Sequence, residues 1–211
     1  MVIQTILTQM QAASNSRNLL EHSFYKRWLA GELTADELAD YAAQYYHVVK
    51  VLPSLLETAA RQHPAHRQAL LAHAAEESAH VRLWARFAEA CGVSAESLQS
   101  IAPNQATQAM LGQCEKFANA GNAAAVAWAL EVQTPAVSKE KIRGLAEHYG
   151  IDARSGGEYF ALHEHLDIEH AAELEEILAE RCSSTADDAQ AAAFAASDGM
   201  WNLLTSVERV A

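Results

Sequence analysis

The sequence predicts an all-α protein, a compact bundle of about seven helices that forms a single domain over residues 1–211. Glycine and proline are scarce, at 9 and 4 residues, whereas alanine supplies about a fifth of the chain. This composition disfavours turns and strands and favours helices. Half of the residues are apolar, which is enough for a hydrophobic core and excludes an intrinsically disordered chain.

Cap and break signals divide the first half of the chain into four helices. Polar residues 14–18 separate the first two, and Gly31 ends the second. Thr34 and Glu37 form a capping box that opens a long third helix, in which Pro53 is expected to produce a kink. The predicted helices span residues 3–13, 19–30, 35–62 and 65–90.

The second half of the chain is divided by similar signals. An irregular stretch is expected from Gly92 through Pro103, and Gly121 and Gly150 mark two further helix ends. Pro135 is expected to bend or break the helix in which it lies. The predicted helices span residues 105–119, 123–149, 158–181 and 187–209.

The charge of the chain excludes several kinds of partner. The net charge is −12, and no segment concentrates lysine and arginine. Nucleic acids and anionic membrane surfaces attract basic proteins, so we expect neither as a partner. No apolar run approaches the roughly 18 residues that span a bilayer, and residues 1–11 do not resemble a signal peptide. We therefore expect a cytoplasmic protein.

The strongest chemical signal is the spacing H-x3-[DE]-x2-H, which occurs twice. The two copies comprise His73, Glu77 and His80, and His163, Asp167 and His170. At about 100° per residue, the three side chains of each copy point to one side of their helix. Composition alone predicts roughly 0.06 occurrences of this spacing. Two imidazoles and a carboxylate on one stripe suit Fe, Mn or Zn.

Glu131 is a further candidate ligand. It is the one acid in the apolar segment 123–132, where an ionised carboxylate costs several kcal/mol to bury unless a cation compensates it. The alternative is that the acids and histidines form solvent-exposed helix pairs, worth a few tenths of a kcal/mol each. Repetition of the spacing in two helices, together with Glu131, favours a site that binds two metal ions.

These residues resemble the ligand set of the heme-oxygenase-like di-iron oxidases, helical bundles that share their fold with heme oxygenase, TenA and PqqC. The resemblance implies two iron ions, with manganese an alternative in one position, O2 as co-substrate and an external reductant. By this pattern the ligands are Glu77, His80, Glu131, His163, Asp167 and His170. The family pattern has no counterpart for His73, which we expect beside the ligands or at the surface.

A closer resemblance extends over nearly the whole chain, in residues 22–28, 31–34, 41–46 and 139–144. These segments are similar to the subgroup that contains the chlamydial protein associating with death domains. Its members are linked to folate synthesis as p-aminobenzoate synthases that consume one of their own tyrosines and take nitrogen from an internal lysine. The resemblance implies that Tyr25 is the consumed tyrosine, Lys141 the amino donor and Tyr41 a nearby aromatic participant.

Two alternatives to this reaction remain open from the sequence. One is a di-iron oxidase or decarboxylase that acts on an external fatty acid or amino acid. The other is a non-catalytic, TenA-like module that binds a small molecule. The fold family favours a homodimer, and an oxidase would need a small-molecule reductant as a further partner.

Overall fold

Ten α-helices and no β-strand lie within residues 2–180 and 186–209, which are the residues that the computed structural model describes. Side chains are described for residues 6–180 and 187–209. The helices are α1 (Val2–Asn15), α2 (Ser23–Ala30), α3 (Ala35–Gln62), α4 (Arg67–Ala90), α5 (Ala95–Ser100), α6 (Gln105–Phe117), α7 (Ala123–Glu131), α8 (Thr134–Gly144), α9 (Glu158–Ala179) and α10 (Ala186–Val207). The all-α prediction is confirmed, and the helix end predicted at Arg181 lies outside the described residues.

The segment predicted as one helix over residues 19–30 is divided at His22. Residues Leu19–Glu21 form a 3-10 turn, His22 is extended (φ −67°, ψ 141°), and α2 follows. The Nδ1 atom of His22 accepts a hydrogen bond from the backbone N–H of Phe24 at 3.0 Å and so caps α2. This break was not predicted because histidine is not among the usual N-cap residues and the apolar spacing continues across it.

The predicted capping box opens α3 as expected. Thr34 Oγ1 accepts a hydrogen bond from the N–H of Glu37 at 3.2 Å, and Glu37 Oε2 accepts one from the N–H of Thr34 at 2.8 Å. The helix continues through Pro53 as far as Gln62. This long helix forms one wall of the bundle and packs against α4.

The stretch from Gly92 to Pro103, predicted to be irregular, contains the short helix α5. Ser94 Oγ accepts a hydrogen bond from the N–H of Ser97 at 3.1 Å, and Leu98 is buried. A local cap and one leucine packed on the core are sufficient for a short helix inside a folded domain.

Pro135 breaks the helix predicted over residues 123–149. The first part, α7, ends at Glu131, and α8 begins at Thr134 with Pro135 in its first turn, where the missing N–H has no helical partner to lose. Residues Leu145–Tyr149 then form a π-helical turn that Gly150 ends at a φ of 67°. Because of the break, Glu131 and Lys141 lie on separate helices and do not need to share one helix face.

Helix α7 lies in the centre of the bundle, and all of its residues are buried. It packs against α3, α9 and α10, while α4 packs against α3 and α9. The three helices that carry the predicted ligands therefore meet inside the molecule. Although α7 is strongly apolar it has only 9 residues, and no helix in the described part of the chain is both long and apolar enough to cross a membrane.

Helices α2 and α8 approach closely at Gly144. A Cβ atom at this position would lie 2.7 Å from Cδ1 of Trp28, so any larger residue would push the helices apart. The Nε1 atom of Trp28 donates a hydrogen bond to the backbone carbonyl of Lys141 at 3.2 Å. This contact brings Tyr25 of α2 and Lys141 of α8 into the same part of the core.

Candidate metal centre

The two motif copies and Glu131 converge in the bundle interior. Helix α4 supplies three side chains, α9 three and α7 one, and none is more than 9% exposed. They are His73, Glu77, His80, Glu131, His163, Asp167 and His170. The structure thus brings together all six residues of the predicted ligand set, and it adds His73, which is buried and not at the surface.

One group of potential ligand atoms is formed by Glu77, His80 and His163. Nδ1 of His80 lies 3.1 Å from Oε1 of Glu77, and Nε2 of His163 lies 3.5 Å from Oε2 of the same carboxylate. The two imidazole rings meet edge to face, with centroids 4.8 Å apart. This group offers two nitrogens and a carboxylate to one ion.

A second group is formed by His73, Glu77, Glu131 and His170. Nε2 of His73 lies 2.9 Å from Oε1 of Glu131, and Nδ1 of His170 lies 3.7 Å from Oε1 of Glu77. Glu77 belongs to both groups, so its carboxylate could serve an ion held by either.

Asp167 lies between the histidines of the two groups. Its Oδ1 atom is 3.9 Å from Nε2 of His163 and 3.8 Å from Nδ1 of His170. A carboxylate in this position can reach either ion.

The donor set fits a pair of metal ions. Five of the predicted ligands each have a buried atom with no hydrogen-bond partner within the described residues. These atoms are Oε2 of Glu77, Oε2 of Glu131, Nε2 of His163, Oδ1 of Asp167 and Nδ1 of His170. Buried polar atoms normally find partners, and cations coordinated by these lone pairs would supply them.

Electrostatics lead to the same conclusion. Burial, reinforced by the charges of Glu77 and Glu173, raises the pKa of Glu131 far above its usual value. Burial also raises the pKa of Asp167, whereas for Glu77 the contacts with His163 and His80 outweigh burial and lower its pKa. Carboxylates in so dry a position need positive charge beside them to stay ionised.

The imidazoles are prepared to act as ligands. Burial lowers the pKa of His170 to about 4, so the ring is neutral at pH 7 and keeps a lone pair. Its Nε2 atom lies 3.3 Å from Oε2 of Glu76, which orients Nδ1 towards the cluster. In His163, Nδ1 donates to the backbone carbonyl of Tyr159 at 2.7 Å, which leaves Nε2 facing inwards. Outer partners of this kind fix the tautomer of metal-binding histidines.

A second buried cluster contains Tyr25, Tyr41 and Lys141. Nζ of Lys141 donates a hydrogen bond to the hydroxyl of Tyr41 at 2.5 Å, and the hydroxyls of Tyr25 and Tyr41 are 3.3 Å apart. The Nζ atom also lies 5.3 Å from the ring centroid of Tyr25 and 4.8 Å from that of Phe160. The three residues that the family resemblance singled out are therefore in contact.

Lys141 is a buried amine without a counter-charge. It is 4% exposed, and no carboxylate in the described part of the chain forms an ion pair with its Nζ atom. Burial therefore lowers the pKa of Lys141 far below that of an ordinary lysine. Burial also raises the pKa of Tyr25 and of Tyr41, so it favours the neutral form of all three groups.

Aromatic rings connect the two clusters. Tyr159 stacks on His163 with centroids 3.9 Å apart and contacts Trp84 at 4.9 Å, and Trp84 stacks on Tyr45 at 4.8 Å. Tyr45 in turn contacts Tyr41 at 5.5 Å. Sequence reasoning did not single out Tyr159 or Trp84, because aromatic residues at helical spacing are ordinary core residues.

Replacing Lys141 by methionine is expected to stabilise the fold. The unfolded chain carries a protonated lysine below pH 10, whereas burial lowers the pKa of the folded lysine, so the native lysine destabilises the protein increasingly as the pH falls below 10. The variant should raise the free energy of unfolding more at pH 7 than at pH 10, by about 1.4 kcal/mol for each pH unit over which the folded lysine stays neutral. Urea denaturation at both pH values measures this difference, and an unchanged or lower stability at pH 7 would contradict it.

A helical bundle with histidines and carboxylates clustered in its core is the framework of a metal-dependent redox protein. Comparison with known sequences gives the same class: the sequence model of the iron-containing redox enzymes matches residues 39–202, and the chain belongs to this family. The 4-aminobenzoate synthase of Chlamydia muridarum is 35% identical over 82% of this chain and 77% of its own length. That of Chlamydia pneumoniae is 35% identical over 90% of this chain and 89% of its own. The resemblance inferred from the motifs is thereby confirmed.

Comparison with solved structures confirms the fold. A TenA homologue from Pseudomonas syringae pv. tomato superposes with a TM-score of 0.81 at 18% sequence identity, covering 98% of this chain and 92% of the homologue. This similarity supports the predicted heme-oxygenase-like bundle.

Proposed function

We propose that this enzyme makes 4-aminobenzoate from its own Tyr25, with Lys141 as the nitrogen donor. The observation that carries the proposal is the placement of a buried lysine, with no carboxylate beside it, against the two tyrosines Tyr25 and Tyr41. The identity with relatives named 4-aminobenzoate synthase supports the same product.

The chemistry suits this assignment. The ring and Cβ of a tyrosine have the carbon skeleton of 4-aminobenzoate, so the product forms if the Cα–Cβ bond breaks and Cβ is oxidised to a carboxylate. The Nζ atom of Lys141 must also replace the phenolic oxygen, which leaves as water, while the Cε–Nζ bond breaks and Cε is oxidised to an aldehyde. O2 is the oxidant that we assign to this reaction, and an external small molecule supplies the electrons that the balance requires.

The ligands that would hold two iron ions are the six residues of the family pattern. His80 and His163 would hold one ion and Glu131 and His170 the other, with Glu77 available to both ions and Asp167 to either. When bound, the ions supply the ability to reduce O2, and manganese in one position suits the same ligands.

Tyr41 positions the amine. Its hydroxyl accepts the hydrogen bond of Lys141 Nζ and lies beside the hydroxyl of Tyr25, so one hydroxyl group links the nitrogen to the phenolic oxygen that it must replace. Burial lowers the pKa of Lys141 and so favours the neutral amine, which has the lone pair that a nucleophile needs. The surrounding rings of Tyr45, Trp84 and Phe160 exclude water from this contact.

The space beside the ligands favours an internal substrate. The cavity lined by Tyr45, Leu130, Glu131, Tyr159 and His163 has a volume of about 10 Å³. This is room for about one water-sized molecule, whereas pockets for organic ligands are typically about 300–1,000 Å³. An external fatty acid would have to displace packed side chains, but O2 is small enough for this cavity.

Labelling of lysine tests the proposal. Protein produced with lysine that carries ¹⁵N at Nζ, loaded with Fe(II) and exposed to O2 with a reductant, should release ¹⁵N-labelled 4-aminobenzoate. Mass spectrometry of the protein should show the loss of the ring at Tyr25. As a control, protein labelled at the backbone nitrogen of lysine should give unlabelled product, and unlabelled product from the Nζ-labelled protein would contradict the role of Lys141.

The formation of a homodimer, which the fold family favours, stays a prediction.

A further inference from the structure

We propose that His73 is a metal ligand of this enzyme, in addition to the six residues of the family pattern. The inference rests on the metal site of the proposed function, but not on the identity of its product. It assigns a fourth histidine to the pair of ions, on the side of Glu131 and His170.

The position of His73 is that of a ligand. It lies one helical turn before Glu77 on α4, is 2% exposed, and its ring centroid is 3.6 Å from that of His170. Its ligand atom and those of Glu77, Glu131 and His170 all lie within 4.8 Å of one another. These four side chains come from three helices, so their convergence is a property of the fold and not of one helix face.

The distance between His73 and Glu131 agrees with two ligands of one ion. Nε2 of His73 is 2.9 Å from Oε1 of Glu131. Donor atoms that bind one ion at about 2.1 Å, at right angles to each other, are separated by about 3.0 Å. A hydrogen bond has the same length, so distance alone does not separate the two interactions.

The surroundings of the ring favour a cation. Both nitrogens of His73 face carboxylates, since Nδ1 lies 3.7 Å from Oε2 of Glu173 while Nε2 faces Glu131. No lysine or arginine in the described part of the chain pairs with either carboxylate, so a metal ion would supply the missing positive charge. The second oxygen of Glu131 also has no hydrogen-bond partner in the described part of the chain, as expected of a coordinating carboxylate.

Paramagnetic NMR of the cobalt-substituted protein tests this assignment. Histidines bound to Co(II) give contact-shifted ring N–H signals, and each ligating imidazole contributes one. With ¹⁵N-histidine labelling and two equivalents of Co(II), we expect four such signals, from His73, His80, His163 and His170. Three signals in the wild-type protein would overturn the assignment, even if the protein still binds two ions and makes 4-aminobenzoate.

A substitution identifies the signal. In His73→Gln the amide can still donate a hydrogen bond to Glu131, but the imidazole is lost, so one of the four shifted signals should disappear. His165→Gln is the matched control, because His165 lies on α9 with its side chain exposed, and all four signals should remain. An unchanged set of shifted signals in His73→Gln would overturn the proposal. If that variant does not fold, the count in the wild-type protein still decides.

Discussion

Replacing Tyr25 by phenylalanine is expected to abolish 4-aminobenzoate formation while the iron content stays at the wild-type level. Phenylalanine lacks the oxygen that the nitrogen of Lys141 must replace, so the ring cannot yield the product. The fold should tolerate the change, because the ring keeps its contacts with Phe24 and Trp28, at 5.6 and 6.2 Å. The lost hydrogen bond to Tyr41 should cost about 1 kcal/mol.

The measurement is growth of a bacterial strain that lacks aminodeoxychorismate synthesis, together with product detection from the purified protein. Tyr46→Phe is the matched control, since Tyr46 is a buried tyrosine of α3 that lies outside the contacts of Lys141. The control should support growth, whereas Tyr25→Phe should not. Equal growth of the two variants would show that Tyr25 is not the source of the ring.

The metal centre was largely predictable from the sequence because each motif is local. Residues three and four apart on a helix share a face, so spacing alone places His163, Asp167 and His170 on one side of α9. Glu131 is the one acid in an apolar segment, and this predicted that a third helix, α7, also contributes a ligand. Spacing within a helix does not show which helices pack against one another. The burial of His73 against Glu131 therefore could not be predicted from the sequence.

The cluster of Tyr25, Tyr41 and Lys141 shows more clearly what cannot be predicted from spacing in the sequence. Tyr25, Tyr41 and Lys141 lie on three helices and are far apart in the sequence, so no periodicity connects them. A straight helix would have placed Lys141 on a different face from Glu131. The break at Pro135 instead places Lys141 on a separate helix, α8, whose direction sets where the side chain lies. Such breaks follow from tertiary packing as well as from proline, and only the family resemblance linked these residues at the level of sequence.

Replacing Glu77 by alanine is expected to remove both ions. Glu77 is the one residue that belongs to both groups of potential ligands in the described part of the chain, and its Oε1 atom faces one histidine of each group, His80 and His170. Loss of a ligand weakens a site strongly, given that removal of an outer partner alone costs about 10–100-fold in affinity. Because both sites lose a ligand, elemental analysis should show iron falling from two per chain to nearly none.

The helical fold of Glu77→Ala should persist, since the relief of repulsion at Glu131 and Asp167 offsets the lost contacts with His80 and His163. What disappears is the stabilisation by metal. At a free Fe(II) concentration of 100 times the dissociation constant, binding adds about 2.7 kcal/mol to the wild-type fold. A chain of this size gains about 2–4 °C in Tm per kcal/mol, so anaerobic Fe(II) should raise the wild-type Tm by several degrees.

The same Fe(II) should leave the Tm of Glu77→Ala unchanged. The control variant Glu89→Ala, which alters an exposed acid on the same helix, should respond like the wild type. A Glu77→Ala protein that retains two ions and the full thermal shift would mean that the ions do not share this carboxylate.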